Sequence, residues 1–485
     1  MAESIKSQTI NGFKWSGLES LSTQIISFAI GIVLARLLAP TDYGIVGLLS
    51  VFIVFSNTFI NTGFTTALIR KEDMTDIDCS TVFYCNILIS IICYCVLFIC
   101  SPLIADFFNT PILSDIVKVY CFTLIIGAFE SVQITRLTKH LQFRSLAIIN
   151  VFTSITSGVI GISLAYLGWG VWAIVWQSIL NGILHVFLIW RASKWKPGFG
   201  FSKKSFKEIF SFGKNLLLSG LLYNIYSQLS PVIISKYFSL ADLAQYNRGT
   251  TYATLPSNTI IGILQKITFP ILAKIQNDEE RLVYVYRRYV RSSSMIIMFP
   301  LILLAALAKP LIIFMITEKW AECVIYLQIY VFSACFQHLT RLNLNLLNVI
   351  GKSDLVLKLE LWKRGISIAM LLASIPFGVK GICISMVLYE QVALAFNTYY
   401  SGKIFGLGYF KQMRDYLPYF FTSILCCIPA YLLAYSNLPY IETILLGSLL
   451  SVILYFSFLY VKRDEEFLNI VNPFINRIRT RNNES

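Results

Sequence analysis

The sequence predicts an all-α polytopic membrane protein with about fourteen transmembrane helices, and three observations carry that prediction. The 485 residues are 56% hydrophobic and 14% charged, whereas a soluble chain carries roughly a quarter charged residues. The hydrophobic residues occur in blocks of about 20 or more, the length of a helix that crosses a bilayer. These blocks run without the alternation of polar and apolar residues that marks a transmembrane β-strand. A bundle of membrane helices follows.

The predicted spans lie on either side of a turn-rich connector at 195–200. In the first half, the apolar runs predict spans at about 15–38, 43–67, 80–104, 113–136, 145–167 and 169–190. In the second half, they predict spans at about 208–236, 241–268, 292–316, 321–347, 354–376, 379–401, 413–435 and 439–461. Pro231, Pro256 and Pro300 lie inside spans, and we expect bends there because neighbouring helices can satisfy the carbonyls that proline frees.

The positions of lysine and arginine predict the orientation of the chain. With the N-terminus inside, 27 of the 40 lysines and arginines fall in inner segments, and five lie at outer ends, namely Arg36, Lys236, Lys309, Lys319 and Lys380. Inner loops of membrane proteins are enriched in these residues, so the split predicts an even number of spans and two cytoplasmic termini. The net charge of +14 then reflects topology, and no nucleic-acid partner is expected.

Two stretches 200 residues apart share a pattern, Gly31–Gly44 and Pro231–Ala244. In each, an apolar helix ends at a cation, two large apolar residues follow, and an aspartate lies six positions after the cation. For so short a match, coincidence between two helix ends explains the pattern about as well as duplication does. The tripeptide Pro-Leu-Ile also occurs in both halves, at Pro102 and at Pro310, and this favours duplication. Duplicated halves are typical of transporters.

A duplicated chain predicts two comparable lobes of six spans each. The expected domains are 1–200, 201–405 and 406–485, the last being a helix pair with a basic tail. The repeated cations and aspartates lie near the outer ends of spans, where we expect a gate or a stabilised turn in preference to deep cargo binding. These outer-end candidates are Arg36, Asp42, Lys236 and Asp242.

The sequence does not favour an enzyme. Its 11 cysteines lie mostly inside apolar runs, show no CxxC spacing and accompany three histidines, so no metal site is expected. No nucleotide-binding or hydrolase motif stands in a suitable context. Outer loops are short, whereas a membrane glycosyltransferase, polymerase or ligase usually needs an extramembrane loop with carboxylates. We expect a transporter without a cofactor, driven by an Na⁺ or H⁺ gradient if one is used.

Charged residues inside spans mark the candidate binding site, because a charge in hydrocarbon costs a few kcal/mol and normally faces protein or a wet cavity. Lys214, Arg248 and Lys266 lie on the two spans that open the second half, with no acidic residue one helical turn away. Three such cations on adjacent spans favour a large anionic ligand. Arg341 is a further candidate, although with His338 it also fits a local polar face.

Three carboxylates lie well inside spans, Glu19, Glu130 and Glu390. A carboxyl group in such a place can titrate, bind Na⁺ or hydrogen-bond to a neighbouring helix. We expect the hydrogen bond for Glu130. For Glu19 and Glu390, coupling to a driving cation and a purely structural bond both stay open. A fourth carboxylate, Glu360, has Arg364 one turn further along its own helix.

Six motifs of the sequence point to one family. They are Lys14-Trp15-Ser16, Leu34–Pro40, Asp42-Tyr43-Gly44, Asn61–Ile69, Phe269–Asp278 and Glu318-Lys319-Trp320. Together they resemble the lipopolysaccharide and exopolysaccharide flippases of the MOP superfamily, the Wzx type, and most nearly its colanic-acid and teichuronic-acid exporters. The resemblance covers nearly the whole chain.

The resemblance implies a fold, a place and a cargo. The family fold has fourteen helices in two six-helix bundles plus a final pair, and it works by alternating access in the bacterial cytoplasmic membrane. The implied cargo is an undecaprenyl-pyrophosphate-linked oligosaccharide, whose pyrophosphate would meet basic residues of the cavity. Membrane lipids and other polysaccharide-assembly proteins are the further expected partners. A drug/cation antiporter of the same fold stays the main alternative, and its cavity should be acidic.

Overall fold

The computed structural model describes residues 2–61, 64–71, 73–469 and 472, and every regular element in these ranges is a helix. Side chains are described except at 2–14, 16, 61, 212, 215, 259, 263–267 and 353. By packing, the chain divides into two compact units, Met1–Ala244 and Gln245–Ser485, and their boundary lies inside one helix. The all-α architecture predicted from composition is confirmed.

Unit 1 is built from nine helices and the first turn of a tenth, within the described residues. The nine are α1 (Ala2–Leu37), α2 (Pro40–Asn61), α3 (Phe64–Arg70), α4 (Asp76–Phe107), α5 (Ile112–Tyr120), α6 (Phe122–Lys139), α7 (Phe143–Tyr166), α8 (Val171–Ser193) and α9 (Lys203–Tyr237). Helix α7 packs against α1 and α8, and α6 packs against α4 and α8. Helix α9 packs mainly against α2 and α3.

Unit 2 contains the rest of α10 and seven further helices in the part of the chain that is described. They are α10 (Leu240–Lys274), α11 (Glu279–Ala306), α12 (Ala308–Ile316), α13 (Cys323–Val349), α14 (Ser353–Ser374), α15 (Gly378–Phe405), α16 (Tyr409–Leu433) and α17 (Tyr440–Val461). Short 3-10 turns occur at Glu318–Trp320 and Ile375–Phe377. Helix α11 packs against α16, α13 against α15, and α16 against α17.

Twelve stretches of the described residues are long and apolar enough to cross a membrane. One of them, Asp354–Phe405, contains both α14 and α15. Helix α10 is not among the twelve, because its stretch Asn247–Asn258 is rich in polar residues; its 35 residues nevertheless measure about 52 Å, enough to span a bilayer. Counting α14 and α15 separately and adding α10 gives the fourteen spans that the sequence predicts.

Helices extend beyond the predicted spans where charged residues pack on one another. Helix α11 begins at Glu279, well before the predicted span at 292, and its added turns are basic. Arg287 contacts both carboxylate oxygens of Asp415 on α16 at 2.7 Å. Arg288 and Arg291 lie 3.3 and 3.4 Å from Glu466. These ion pairs tie α16 and the segment that follows α17 to α11.

The predicted domains 1–200, 201–405 and 406–485 follow the internal repeat of the sequence. The two packing units are defined by contacts between residues, so they do not test this division. The packing boundary follows Ala244 because α9 lies against α2 and α3. The division by repeat therefore stays a prediction.

Candidate functional site

The two repeated turns have the same local structure. Helix α1 ends at Leu37 and α2 begins at Pro40, and 200 residues later α9 ends at Tyr237 and α10 begins at Leu240. The equivalence is therefore one of backbone as well as of sequence pattern.

In both turns the aspartate carboxylate accepts a hydrogen bond from a backbone amide of the turn. The Asp42 carboxylate accepts a hydrogen bond from the Ala39 amide at 3.0 Å. The Asp242 carboxylate accepts bonds from the Ser239 amide at 3.0 Å and from its hydroxyl at 2.7 Å. Bonds of this kind satisfy amide groups at the start of a helix, which have no partner within the helix itself.

The cations of the two turns lie at the surface. The second turn is held against neighbouring helices by contacts of Lys236 and Leu240. Arg36 and Lys236 are both exposed. The Lys236 ammonium donates to the Phe107 carbonyl at 2.5 Å and lies 3.9 Å from the centre of the Phe107 ring. Gly44 packs so closely on the backbone of Leu240 that an added Cβ would lie 1.9 Å from the Leu240 carbonyl oxygen.

A continuous hydrogen-bonded network joins four helices of unit 1. Asn150 on α7 donates to Glu19 on α1 at 2.5 Å. Its amide oxygen lies 2.8 Å from His185 Nε2 on α8. The other ring nitrogen of His185, Nδ1, lies 2.5 Å from Glu130 on α6. The interhelical bond expected of Glu130 is confirmed, and Glu19 proves to belong to the same network.

The chemistry of the partners assigns the protons of this network. The amide oxygen of Asn150 only accepts hydrogen bonds, so His185 Nε2 must carry a hydrogen. A second hydrogen then lies between His185 Nδ1 and the Glu130 carboxylate oxygen, which are 2.5 Å apart. Glu19 accepts from the Asn150 amide and is half-buried, so it keeps an approach for a cation.

The three cations proposed for the anionic pathway differ in surroundings. Lys214 is exposed and makes no ion pair among the described residues. Arg248 has partners, because its guanidinium lies 5.5 Å from the centre of the buried Trp320 ring and interacts electrostatically with Tyr252. Lys266 lies on α10, but its side chain falls outside the described residues. Because the Lys266 side chain is not described and Lys214 belongs to the other packing unit, the grouping of these three side chains stays a prediction.

Unit 2 holds a charged cluster on α13, α14 and α15. Glu360 pairs with Lys363 at 2.5 Å and with Arg364 at 3.2 Å, both on its own helix. These two cations, with Arg341 and Glu360, are the charged groups that act electrostatically on Glu390. Lys363 is buried, whereas Arg341 is exposed. The cluster thus contains three cations and two carboxylates and keeps an excess positive charge.

A family model for polysaccharide biosynthesis proteins matches residues 33–325, more than half of the chain. The chain belongs to this polysaccharide biosynthesis protein family. It is 27% identical over 371 residues to the teichuronic acid biosynthesis protein TuaB of Bacillus subtilis, covering 75% of both chains. It is 22% identical over 443 residues to the lipopolysaccharide biosynthesis protein WzxC of Escherichia coli, covering 89% of this chain and 88% of that one.

The fold of this polysaccharide biosynthesis protein matches that of a solved lipid II flippase, MurJ, in an inward closed conformation. The TM-score is 0.74 at 14% sequence identity, and the match covers 92% of this chain and 99% of the other. At that identity the likeness establishes the fold. The membrane fold expected from the sequence resemblance is thereby confirmed.

The sequence analysis did not identify two residues of these polar clusters, Asn150 in unit 1 and Lys363 in unit 2. Asn150 is an uncharged residue in an apolar helix, so a search for charges passes over it, although it bridges Glu19 and His185. Lys363 is buried and pairs with Glu360, which lies three residues earlier on its own helix. Its spacing three residues after a glutamate was the available signal.

Proposed function

We propose that this protein is a flippase that exports undecaprenyl-pyrophosphate-linked oligosaccharide from the inner to the outer leaflet of the bacterial cytoplasmic membrane. The sugar chain would serve a surface polysaccharide such as O-antigen, capsule or exopolysaccharide, and movement would follow alternating access. Family membership and the names of the relatives support polysaccharide export. The observation that carries the choice of cargo is the excess of cations in the charged cluster of unit 2.

The charge of that cluster suits an anionic head group. Pyrophosphate cannot enter hydrocarbon unaided, and fixed cations can replace its hydration shell. Arg341 is suited to the first contact, because it is exposed and a guanidinium can donate two parallel hydrogen bonds to a phosphate. A drug/cation antiporter would need an excess of carboxylates at this place, so the cluster favours the flippase over that alternative.

An apolar groove of unit 2 suits the prenyl tail. It has a volume of about 570 Å³ and lies among α11, α13, α15 and α16. Its lining is almost wholly apolar, with Ile329, Phe332 and Leu388 among its members. A tail resting there would remain in contact with lipid while its head group moves.

Glu19 and the Glu130–His185 pair of unit 1 are the groups we propose for coupling to an H⁺ or Na⁺ gradient. This assignment separates the two tasks, with coupling in unit 1 and the anionic head group in unit 2. Glu390, the other coupling candidate, lies among three cations and is assigned instead to balancing the charge of the cluster.

The deciding experiment is deletion of the gene in its native strain, followed by location of the lipid-linked oligosaccharide. We expect surface polysaccharide to be lost and full-length lipid-linked oligosaccharide to accumulate on the inner leaflet, protected from externally added glycosidase in intact spheroplasts. A glycosyltransferase or polymerase would instead leave incomplete sugar chains. Unchanged surface polysaccharide with increased sensitivity to cationic drugs would overturn the proposal in favour of an antiporter.

A further inference from the structure

A second groove lies on unit 1, between α6 and α8, and it differs from the groove of unit 2 in having a charged end. Its volume is about 630 Å³. Apolar side chains line its length, among them Phe129, Ile183 and Phe187. Ile183 is 47% exposed and Phe187 58% exposed, so the groove is open to its surroundings. Arg191, Lys194 and Lys196 line one end.

The lysines at this end are held by folded backbone. Helix α8 ends at Ser193, and Lys194 takes the left-handed conformation with φ of 53°. The next residue, Trp195, is buried against Phe83 with ring centres 6.1 Å apart. Beyond it, the amides of Gly198 and Ser202 donate to hydroxyl groups of α4 at 3.0 and 3.1 Å. The connector is therefore attached to α4, and it presents both lysines from a fixed position.

The cations of the groove lack carboxylate partners, unlike other cations of unit 1. Arg136 pairs with Asp76 at 2.8 Å, and Lys71 pairs with Asp78 at 2.9 Å. Among the described residues, no carboxylate lies within 4 Å of Arg191, Lys194 or Lys196. Three positive charges at the end of an apolar groove are complementary to an anion that carries a hydrocarbon chain.

We infer that this groove binds an anionic phospholipid, with the phosphate at the three cations and an acyl chain along Phe129, Ile183 and Phe187. Basic pockets beside membrane helices recognise anionic head groups in this way. Trp190, which also lines the groove, is of the residue type enriched at the level of the head groups. The chemistry of the site is independent of the proposed cargo. With both termini cytoplasmic, as the charge distribution predicts, the basic end of the groove lies at the inner leaflet.

The test measures phospholipid binding to the purified full chain by native mass spectrometry. The variant is the triple substitution Arg191→Gln, Lys194→Asn and Lys196→Gln, in which asparagine tolerates the left-handed backbone at 194. The matched control changes three exposed lysines at the start of α9 to glutamine, Lys203, Lys204 and Lys207. Both variants lose the same charge, and the control lysines do not line the groove. The lipids are phosphatidylglycerol and phosphatidylcholine, and inorganic phosphate is added as a competitor.

We expect the groove variant to bind phosphatidylglycerol about tenfold more weakly or worse, and the control variant to bind it as the unchanged protein does. Phosphatidylcholine should bind weakly to all three proteins, and phosphate should compete poorly because it lacks an acyl chain. Equal losses in both variants, or equal binding of the two lipids, would overturn the proposal. So would competition by millimolar phosphate, which would indicate a simple anion site.

A second measurement locates the lipid without any substitution. Phosphatidylglycerol with a photoactivatable acyl chain should label α6 and α8 at the groove in the unchanged protein, and excess unlabelled phosphatidylglycerol should suppress that labelling. Labelling spread evenly over lipid-facing helices would contradict a specific site, even if the groove variant failed to fold.

Discussion

Asn150 and His185 give two half-buried carboxylates defined partners, and this changes what each carboxylate can do. A carboxylate that is bonded through an amide to a histidine responds to the protonation of that histidine. Glu19 accepts a hydrogen bond from the Asn150 amide, whose oxygen in turn accepts a hydrogen bond from His185 Nε2. A change of charge at the Glu130–His185 pair therefore alters the electrostatic surroundings of Glu19 on α1.

This network predicts the effect of Glu19→Gln. Glutamine keeps the shape and can still accept from the Asn150 amide, so we expect the variant to reach the membrane in normal amounts. It cannot take up a proton or hold a cation, so we expect its transport to lose dependence on the ion gradient. The measurement is uptake of lipid-linked oligosaccharide into proteoliposomes with and without an imposed H⁺ or Na⁺ gradient.

The matched control for that variant is Ser157→Ala. It removes the acceptor of the Asn181 side chain, a neutral bond between the same helices α7 and α8. Transport by this variant should keep its dependence on the gradient. If Glu19→Gln behaves like the control, Glu19 has a structural role alone.

The charged cluster of unit 2 gives a prediction for Arg341. It is the exposed cation of the three, and Arg341→Ala should lower export about tenfold or more, because hydrogen bonds to charged groups contribute roughly 1.5–3 kcal/mol each. Lysine should restore the function only in part if the contact with phosphate uses two bonds. Export is read as surface polysaccharide in a complemented deletion strain, with the amount of membrane protein measured in parallel.

Lys380→Ala is the control for Arg341→Ala. Lys380 is another exposed cation of unit 2, at the start of α15, and among the described residues it does not contact the cluster. A comparable loss of export in both variants would mean that surface charge matters in general, and that Arg341 has no particular contact.

At the scale of helices, hydropathy locates the membrane-spanning parts well and the helix ends poorly. The apolar runs predict the turns between α1 and α2 and between α9 and α10 to within a few residues. They miss the basic turns at the start of α11, because these are stabilised by Asp415 and Glu466, which are distant in sequence. The packing of α9 on α2 could not be predicted either, since it joins residues distant in sequence, such as Asn224 and Thr58.

The contact of Gly44 with Leu240 makes α2 and the start of α10 sensitive to one methyl group. Gly44→Ala would place a Cβ 1.9 Å from the Leu240 carbonyl oxygen, so one of the two backbones must move. We expect a loss of about 1–3 kcal/mol, typical of overpacking, measured as a lower midpoint of thermal unfolding in detergent.

Gly127→Ala provides the comparison for that substitution. Gly127 lies inside α6 with nothing within 4 Å of an added Cβ, so alanine should leave stability unchanged or raise it slightly. An unchanged midpoint for Gly44→Ala would show that α2 and α10 are not held together at this point in solution.

At the scale of the whole molecule, the prediction that remains to be tested is orientation. The charge distribution predicts that both termini are cytoplasmic, and the fold is compatible with either direction of insertion. Single cysteines at exposed positions can settle the matter by labelling of intact cells with a membrane-impermeant maleimide. Suitable inner positions are Asp73, Gly200 and Glu280, and suitable outer positions are Pro111 and Asn437.

We expect cysteines at Pro111 and Asn437 to be labelled in intact cells, and those at Asp73, Gly200 and Glu280 only after the membrane is permeabilised. Of the native cysteines, which are all unpaired, Cys95 alone is exposed, and it lies inside the long apolar helix α4. A water-soluble reagent should not reach it in the bilayer, so the unchanged protein serves as the blank. The reverse pattern would invert the proposed direction of export and place the cations of the α6–α8 groove at the outer leaflet.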